Sequence, residues 1–428
     1  MAATSSLLEP DHIVGVRNSG KDIFIIGVLF FVFGFITWLG SVLIPYLKIA
    51  CQLNTFQSYF VAFSFYISYA LMAIPSAWVL KRTGSRNGMA LGLLIMAIGA
   101  ILFIPAALSR QYLLFLLGLF LQGGGLTILQ SASNPYVTML GPRESAAKRI
   151  SIMGICNGVA GVIAPLLLGS VILHDADALS INIHALHGKA LDGMLNSLAE
   201  RVIYPYVAIM VSLLLLALLI YLSRLPEIDT DQEDEVTSIA NTNKTSILQF
   251  PHLIIGVFTL FLYVGVEVIA VDTIFGYAQS QGIGFARAKF FSSFTIFNML
   301  IGYVIGIICI PRFLQQSQAL RLSAYAGILL TLAAMITQGT TSVVFIGLLG
   351  LANSLIWPSI WPLALNGLGR FTKVGSSFLI MAIGGGAMLP LLYGKLAQSI
   401  SPHAGYWMVL PIYLAILYYG IAGHRFKN

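Results

Sequence analysis

The chain has 428 residues, of which 58% are hydrophobic and only 9% are charged, and its mean hydropathy is +0.88. A soluble domain carries about 25% charged residues, so this composition excludes an ordinary water-soluble protein and is typical of a protein embedded in a bilayer. The formal net charge of +7 does not indicate a nucleic-acid partner, because the basic residues are scattered through short polar segments and form no stripe.

Long apolar runs separated by short polar breaks follow one another along the whole chain. A helix of about 20 residues crosses the ~30 Å hydrocarbon core of a bilayer, and most of these runs have at least that length. We therefore predict an all-α integral membrane protein with twelve transmembrane helices. The predicted spans are 23–47, 57–80, 88–108, 112–140, 149–173, 202–223, 250–278, 288–311, 319–337, 341–366, 374–398 and 404–423.

The longest acidic run, Glu227 to Glu235, falls between the sixth and seventh spans and is typical of a solvated linker. The chain is predicted to consist of a cytoplasmic tail (1–22), a six-helix half (23–223), a cytoplasmic linker (224–249), a second six-helix half (250–423) and a short cytoplasmic tail (424–428). The halves resemble each other weakly: Gln130 in the fourth span and Asn353 in the tenth each lie five residues before a proline. Two related halves indicate pseudo-symmetry and a site between them near the middle of the membrane.

Basic residues orient the predicted helices. If both termini are cytoplasmic, only seven of the 23 Lys and Arg residues fall on the outer side, namely Lys48, Arg110, Lys189, Arg201, Arg287, Lys289 and Lys395. The positive-inside rule therefore favours an even number of spans with both ends inside. We see no nucleophile–base set, metal-ligand spacing or phosphate-binding loop, and so expect no enzymatic activity and no structural metal.

Two of the sixteen acidic residues, Glu267 and Asp272, lie inside a predicted span. A carboxylate at bilayer depth costs at least ~2.5–3.5 kcal/mol on insertion scales, so it usually faces a watery interior and marks an ion or substrate path. No Lys or Arg lies at the same depth, which predicts an ion, a proton or a ligand as the partner. Five residues rotate an ideal helix by about 500°, so the two acids lie some 140° apart unless the helix is broken.

Intramembrane amides and indoles are the candidate ligands of a polar solute. Amides both donate and accept hydrogen bonds, which suits an array of sugar hydroxyls, although each amide could instead bond to a neighbouring helix. An indole offers a flat apolar face to a pyranose ring. The candidates are the amides Gln122, Gln130, Asn134, Asn157, Asn298 and Asn353 and the indoles Trp38 and Trp357.

Several motifs resemble the major facilitator superfamily, and within it the family of the fucose:proton symporter and the bacterial glucose/galactose transporters. They are Gly84-Ser-Arg86, the run from Gln130 to Pro142, Tyr263-Val-Gly-Val-Glu267-Val, Asn353-Ser-Leu-Ile-Trp-Pro358, and Gly375-Ser-Ser with Met381 to Gly386. The resemblance implies the major facilitator fold and a sugar symporter of the bacterial inner membrane.

This chain departs from the family pattern at two coupling positions. Gly40-Ser41 stands where the family usually has Asn-Asp, and Gln130 stands where the fucose symporter has a Glu. Asn157 matches a family asparagine associated with sugar contact, and Glu267 matches the family glutamate. Asp272 is not part of the family pattern. We take Glu267, Asp272 and Ser41 as the candidate ion-coupling residues.

The resulting expectation is a monomeric secondary transporter that takes up a monosaccharide or similar small sugar by alternating access. Sodium is slightly favoured over protons, because the matched proton-coupling carboxylates are missing. We expect no cofactor apart from such a bound sodium ion. An uncoupled sugar facilitator would also explain the missing carboxylates. An exporter or drug antiporter fits the six amides less well.

Overall fold

The computed structural model describes residues 19–139, 146–173, 175, 186–223, 244–310 and 312–426. Within these ranges the structure is helical. The helices are α1 (Ser19–Thr37), α2 (Gly40–Ala50), α3 (Thr55–Ser58), α4 (Phe60–Ile101), α5 (Phe103–Ser109), α6 (Tyr112–Met139), α7 (Ala146–Ile172), α8 (Lys189–Glu200), α9 (Ile203–Leu222), α10 (Pro251–Asp272), α11 (Ile274–Ser280), α12 (Phe285–Ala288), α13 (Phe291–Cys309), α14 (Gln316–Ile336), α15 (Gly339–Asn353), α16 (Ile356–Leu365), α17 (Thr372–Met381), α18 (Gly385–Ser399), α19 (Pro402–Gly405) and α20 (Val409–Ile421).

The described residues contain eleven helical segments that are long and apolar enough to cross a membrane. The longest, Thr55–Ser109, has 55 residues and contains a non-helical residue, Gly84, at φ 77° and ψ 170°. Glycine tolerates that positive φ because it has no Cβ. Parts of α4 on both sides of Gly84 pack on the same stretch of α6, with Phe65 beside Gly123 and Gly92 beside Gly125. The chain therefore reverses at Gly84, and its described residues cross the membrane twelve times.

The twelve crossings agree with the sequence prediction. Because their number is even, Ser19 at the start of the first crossing and Ile421 at the end of the last lie at one face of the bundle, which we call the terminus face; the other is the far face. The first six crossings run from α1 to α9 and the last six from α10 to α20. The acidic linker lies mostly outside the described residues, as do residues 1–18 and 140–145.

Two crossings are interrupted at corresponding places. The first is divided between α1 and α2 at Trp38 and Leu39, and the seventh is divided between α10 and α11 at Thr273. Side-chain hydroxyls reach carbonyl oxygens at both breaks: Ser41 Oγ donates to Trp38 O (2.9 Å) and Thr273 Oγ1 donates to Ile269 O (2.7 Å). Interrupted helices at equivalent positions of two halves are typical of the site region in transporters built from repeats.

The surface of the bundle is apolar. Large side chains such as Leu113, Tyr204, Leu219 and Ile336 are exposed, as expected where lipid replaces water. The interior combines a hydrophobic core with buried serines, threonines and amides.

The two sets of six crossings touch each other at the far face. The rings of Tyr59 and Tyr393 meet edge to face with centroids 5.9 Å apart, and the backbone N–H of Phe56 donates to Gln398 Oε1 at 3.0 Å. The hydroxyl of Ser293 donates to the carbonyl oxygen of Val162 at 3.2 Å. These contacts close the far face in this conformation.

Candidate functional site

A cavity lies between the two sets of crossings, near the middle of the bundle and on the terminus side of the far-face contacts. Helices from both sets contribute to its wall. Its lining residues are Phe30, Phe33, Thr37, Trp38, Tyr66, Tyr69, Gln130, Asn134, Ile150, Gly154, Asn157, Tyr263, Val264, Glu267, Val268, Tyr303, Trp357, Pro358 and Ile383. Six of the candidate site residues lie on this wall: Trp38, Gln130, Asn134, Asn157, Glu267 and Trp357.

Glu267 is the one acidic residue of this lining. The phenol of Tyr263, one helical turn earlier on α10, donates a hydrogen bond of 2.8 Å to Glu267 Oε1. No hydrogen bond from the described residues reaches Oε2, and no described Lys, Arg or His forms an ion pair with this carboxylate. A carboxylate that is only partly buried and faces a cavity can therefore accept a proton, a cation or a donor group from a solute.

The indole of Trp38 is joined to Asn157 across the first and fifth crossings. Its Nε1 donates to Asn157 Oδ1 at 3.1 Å. The close packing of α1 on α7 permits this bond, since a Cβ on Gly161 would lie 2.3 Å from Trp38 Cδ1. The bond fixes the amide orientation and leaves the two N–H groups of Asn157 Nδ2 without a described partner, as a donor pair at the cavity wall.

Gln130 and Asn134 lie one turn apart on α6, as the sequence predicted, and both line the cavity. Gln130 Nε2 donates to the hydroxyl of Tyr69 at 3.2 Å, which joins the fourth crossing to the second. The Gln130 side-chain oxygen and the Asn134 amide add acceptors and donors to the cavity wall.

Aromatic rings cover much of the remaining wall. Trp357 stacks on Trp361 with ring centroids 5.3 Å apart and an interplanar angle of 23°, and of the two only Trp357 lines the cavity. Sequence reasoning missed the tyrosines Tyr66, Tyr69, Tyr263 and Tyr303. The one available signal was Tyr263, four residues before Glu267 and hence on the same helical face.

Other candidates lie away from the cavity. Asn298 Nδ2 donates to Phe294 O of its own helix at 2.9 Å, and Asn353 Oδ1 accepts from Tyr413 at 2.7 Å. Both bonds join protein groups outside the cavity lining. Gln122 is buried beside Gly99. The hydroxyl of Ser41 donates its hydrogen bond to Trp38 O. Asp272, buried against Gly40, is also absent from the lining.

The chemistry of this wall suits an uncharged polar solute. It offers amide and phenol groups, the flat faces of indole and phenyl rings, and a single carboxylate. Within the described part of the chain, no three His, Cys, Asp or Glu side chains converge on a point that could hold a metal ion.

A polar cavity at mid-depth, enclosed by two sets of six membrane-crossing helices, defines the protein as a membrane transporter and not an enzyme. The chain belongs to the major facilitator superfamily, whose family model matches residues 26–389.

Two curated relatives cover most of the chain. It is 34% identical over 412 residues to a glucose/galactose transporter of Brucella abortus biovar 1 (strain 9-941), covering 96% of this chain and 95% of that protein. It is 30% identical over 371 residues to the L-fucose-proton symporter of Escherichia coli (strain K12), covering 85% and 84%.

The crystal structure of FucP, a major facilitator superfamily transporter in the outward conformation, has the same fold. It superposes with a TM-score of 0.75 at 27% identity and covers 94% of this chain and 99% of its own. The predicted fold class and the resemblance to this family are therefore confirmed.

Proposed function

We propose that this protein takes up a monosaccharide across the bacterial inner membrane by proton-coupled symport. The observation that carries the proposal is the composition of one cavity wall. Glu267, a carboxylate without a basic partner, shares this wall with the Asn157 amide and the Trp357 indole. A relative named as a glucose/galactose transporter and another named as an L-fucose-proton symporter support both a sugar and a proton.

The sugar would lie between the indoles and the amides. Its hydroxyls would replace their lost hydration with bonds to Asn157, Gln130 and Asn134, and its C–H face would pack on Trp357 or Trp38. A buried amide that loses its bonding partner costs ~1–3 kcal/mol, so a solute without matching hydroxyls binds less well. This selects a polyol or a sugar over an apolar drug and argues against the exporter alternative.

Glu267 is proposed as the coupling residue. The bond from Tyr263 occupies one carboxylate oxygen, so the other is free to carry the proton or to accept a sugar hydroxyl. The residue pattern alone slightly favours sodium. We propose the proton instead. A hard cation needs several oxygen ligands that converge on it. The described neighbour of this carboxylate, Tyr263, points an O–H donor at it.

The two sets of six crossings are proposed to be the moving halves, with the boundaries at 23–223 and 250–423. They would rock about the cavity, which the far-face contacts close in this conformation. We propose a monomer with both termini in the cytoplasm, as the distribution of Lys and Arg favours. The far face is then the outer face.

Uptake of radiolabelled sugars into proteoliposomes tests this proposal directly. A panel of hexoses would be offered under an inward proton gradient, an inward sodium gradient or no gradient. We expect one hexose to accumulate above its external concentration only with the proton gradient. Accumulation with the sodium gradient alone would replace the proton by sodium, and equilibration without accumulation would indicate a facilitator. No uptake of any sugar would refute the proposal.

A further inference from the structure

Asp272 is the second acid inside the membrane-crossing helices, and the cavity does not contain it. The residue ends α10 and is 2% exposed. Neither Oδ1 nor Oδ2 has a hydrogen-bond partner among the described residues. A buried carboxylate without partners carries a desolvation penalty of several kcal/mol in its charged form, so this is an unusual arrangement that requires an explanation.

The carboxyl group of Asp272 lies against the first crossing, in the other half of the protein. An ideal Cβ on Gly40 would lie 3.0 Å from Asp272 Oδ2, so a side chain at position 40 would crowd the carboxyl. Gly40 is the first residue of α2, an eleven-residue helix whose N-terminal end carries a partial positive charge. That end stabilises an anion by ~0.3–1 kcal/mol, or ~2 kcal/mol at best, which does not offset the cost of burying a full charge.

The groups that face Asp272 from neighbouring elements do not compensate its charge. From the second crossing, Tyr59 and Tyr66 are near enough to interact electrostatically with the Asp272 carboxyl group, but their phenols are neutral. The hydroxyl of Tyr66 is itself buried without a hydrogen-bond partner among the described residues. From the eighth crossing, Ser292 donates its hydroxyl to Val271 O. The following residue, Thr273, shares a hydrogen bond with Tyr406.

The nearest charged residues along the same helices are also engaged elsewhere or face other surroundings. On α2, Lys48 Nζ donates to Thr55 Oγ1 at 3.0 Å. On α10, Glu267 faces the cavity and bonds to Tyr263. No described cation pairs with Asp272, so its neutral acid is the form that fits the closed far face.

We propose that Asp272 is a second proton-binding site, which takes a proton from the medium at the far face when that face closes and returns it when that face opens. This inference rests on the alternating access of the proposed function. Closing transfers a proton from hydronium to one carboxylate oxygen of Asp272, and opening transfers it back to water; no other bond changes. The site acts as a proton-dependent latch between the halves and differs in place from Glu267, which faces the cavity.

The latch makes the conformational equilibrium depend on pH even without sugar. The closed far face binds one more proton than the open form, so raising the pH favours opening. For a single linked proton the closed-to-open ratio changes by at most about tenfold per pH unit. Substituting Asp272→Asn keeps the shape of the neutral acid and removes the linkage.

Distances between spin labels measure this equilibrium without transport. Cysteines would replace the exposed residues Gln111 and Lys395, at the far-face ends of the fourth and eleventh crossings, after the native Cys51, Cys156 and Cys309 are replaced. A long distance between the two labels reports an open far face. In the parent protein, we expect this population to grow severalfold or more from about pH 5 to about pH 9. In Asp272→Asn we expect it to stay small at every pH.

Two further variants keep the result interpretable. Glu200→Gln, at an exposed acid outside the cavity, is the matched control and should retain the parent's pH response. Retention of the full pH response in Asp272→Asn would overturn the proposal. If Asp272→Asn does not fold, Gly40→Ala crowds the carboxyl and should raise the open population at each pH while the response to pH remains.

The nature of the bound ion is tested at constant pH. Replacing sodium by choline should leave the label distances unchanged, and closing that requires sodium would contradict a proton site. Because no sugar is present, these outcomes are independent of whether the protein transports a hexose, and a failed uptake assay would refute the proposed function without touching the pH response.

Discussion

Trp38 and Asn157 join the first and fifth crossings through a 3.1 Å hydrogen bond from the indole Nε1 to the amide Oδ1. Both residues line the cavity, and the bond determines which way the Asn157 amide points. The indole thus has two roles in the proposed site: a face for the sugar ring and a donor that orients a sugar-binding amide.

Removing the indole N–H should weaken sugar binding while the ring is kept. We expect Trp38→Phe to raise the sugar Kd about 3- to 10-fold, because a lost hydrogen bond is worth ~0.5–1.5 kcal/mol. Isothermal titration calorimetry on the hexose identified by uptake measures the change. Ser41→Ala is the control, since that hydroxyl bonds to Trp38 O outside the cavity and its removal should leave Kd unaltered.

The same bond predicts coupling between the two residues. The effects of Trp38→Phe and Asn157→Ala should be less than additive in the double variant, because either substitution breaks the same contact. Additive effects on the binding free energy would show that Asn157 acts without Trp38.

Of the two stacked indoles of the tenth crossing, Trp357 should contact the sugar and Trp361 should support Trp357 from behind. We expect Trp357→Ala to raise the sugar Kd about tenfold or more, and Trp357→Phe to retain most of the affinity, because aromatic contact is worth ~0.5–1.5 kcal/mol beyond the buried area. Trp361→Phe should lower the melting temperature without a comparable change in Kd. An equal loss of affinity in the Trp361 variant would contradict this division.

Asn353 should matter for stability and not for sugar binding. Tyr413→Phe leaves Asn353 Oδ1 without its 2.7 Å bond, and interhelical bonds of this kind are worth ~0.6–1.7 kcal/mol in membranes. Thermal unfolding in detergent should show the loss, with sugar Kd unchanged within about twofold. A tenfold loss of affinity would instead make Asn353 a sugar ligand.

Sequence patterns predicted the twelve crossings well, because the hydrocarbon thickness sets a minimum length for every helix. They were less informative about which amides face the cavity. Gln130 and Asn134 do so, whereas Asn298 and Asn353 bond to Phe294 O and Tyr413 instead. A single sequence does not predict how each helix is rotated about its own axis, because contacts with other helices determine that rotation.

The contrast between Glu267 and Asp272 has the same origin. The angular separation expected for five residues agrees with the structure, since α10 continues unbroken through Asp272 and the interruption follows at Thr273. The approach of Gly40 to Asp272 could not be predicted, because it depends on the packing of the first crossing against the seventh.

The most direct test of the coupling role is sugar transport by Glu267→Gln in proteoliposomes. Two assays are compared: accumulation driven by a proton gradient and exchange of labelled for unlabelled sugar without a gradient. We predict that accumulation falls to the external level while exchange stays within severalfold of the parent, because glutamine keeps the shape but cannot carry the proton. The exposed Glu200→Gln is the matched control and should accumulate normally. Accumulation by Glu267→Gln equal to that of the parent would contradict the assignment.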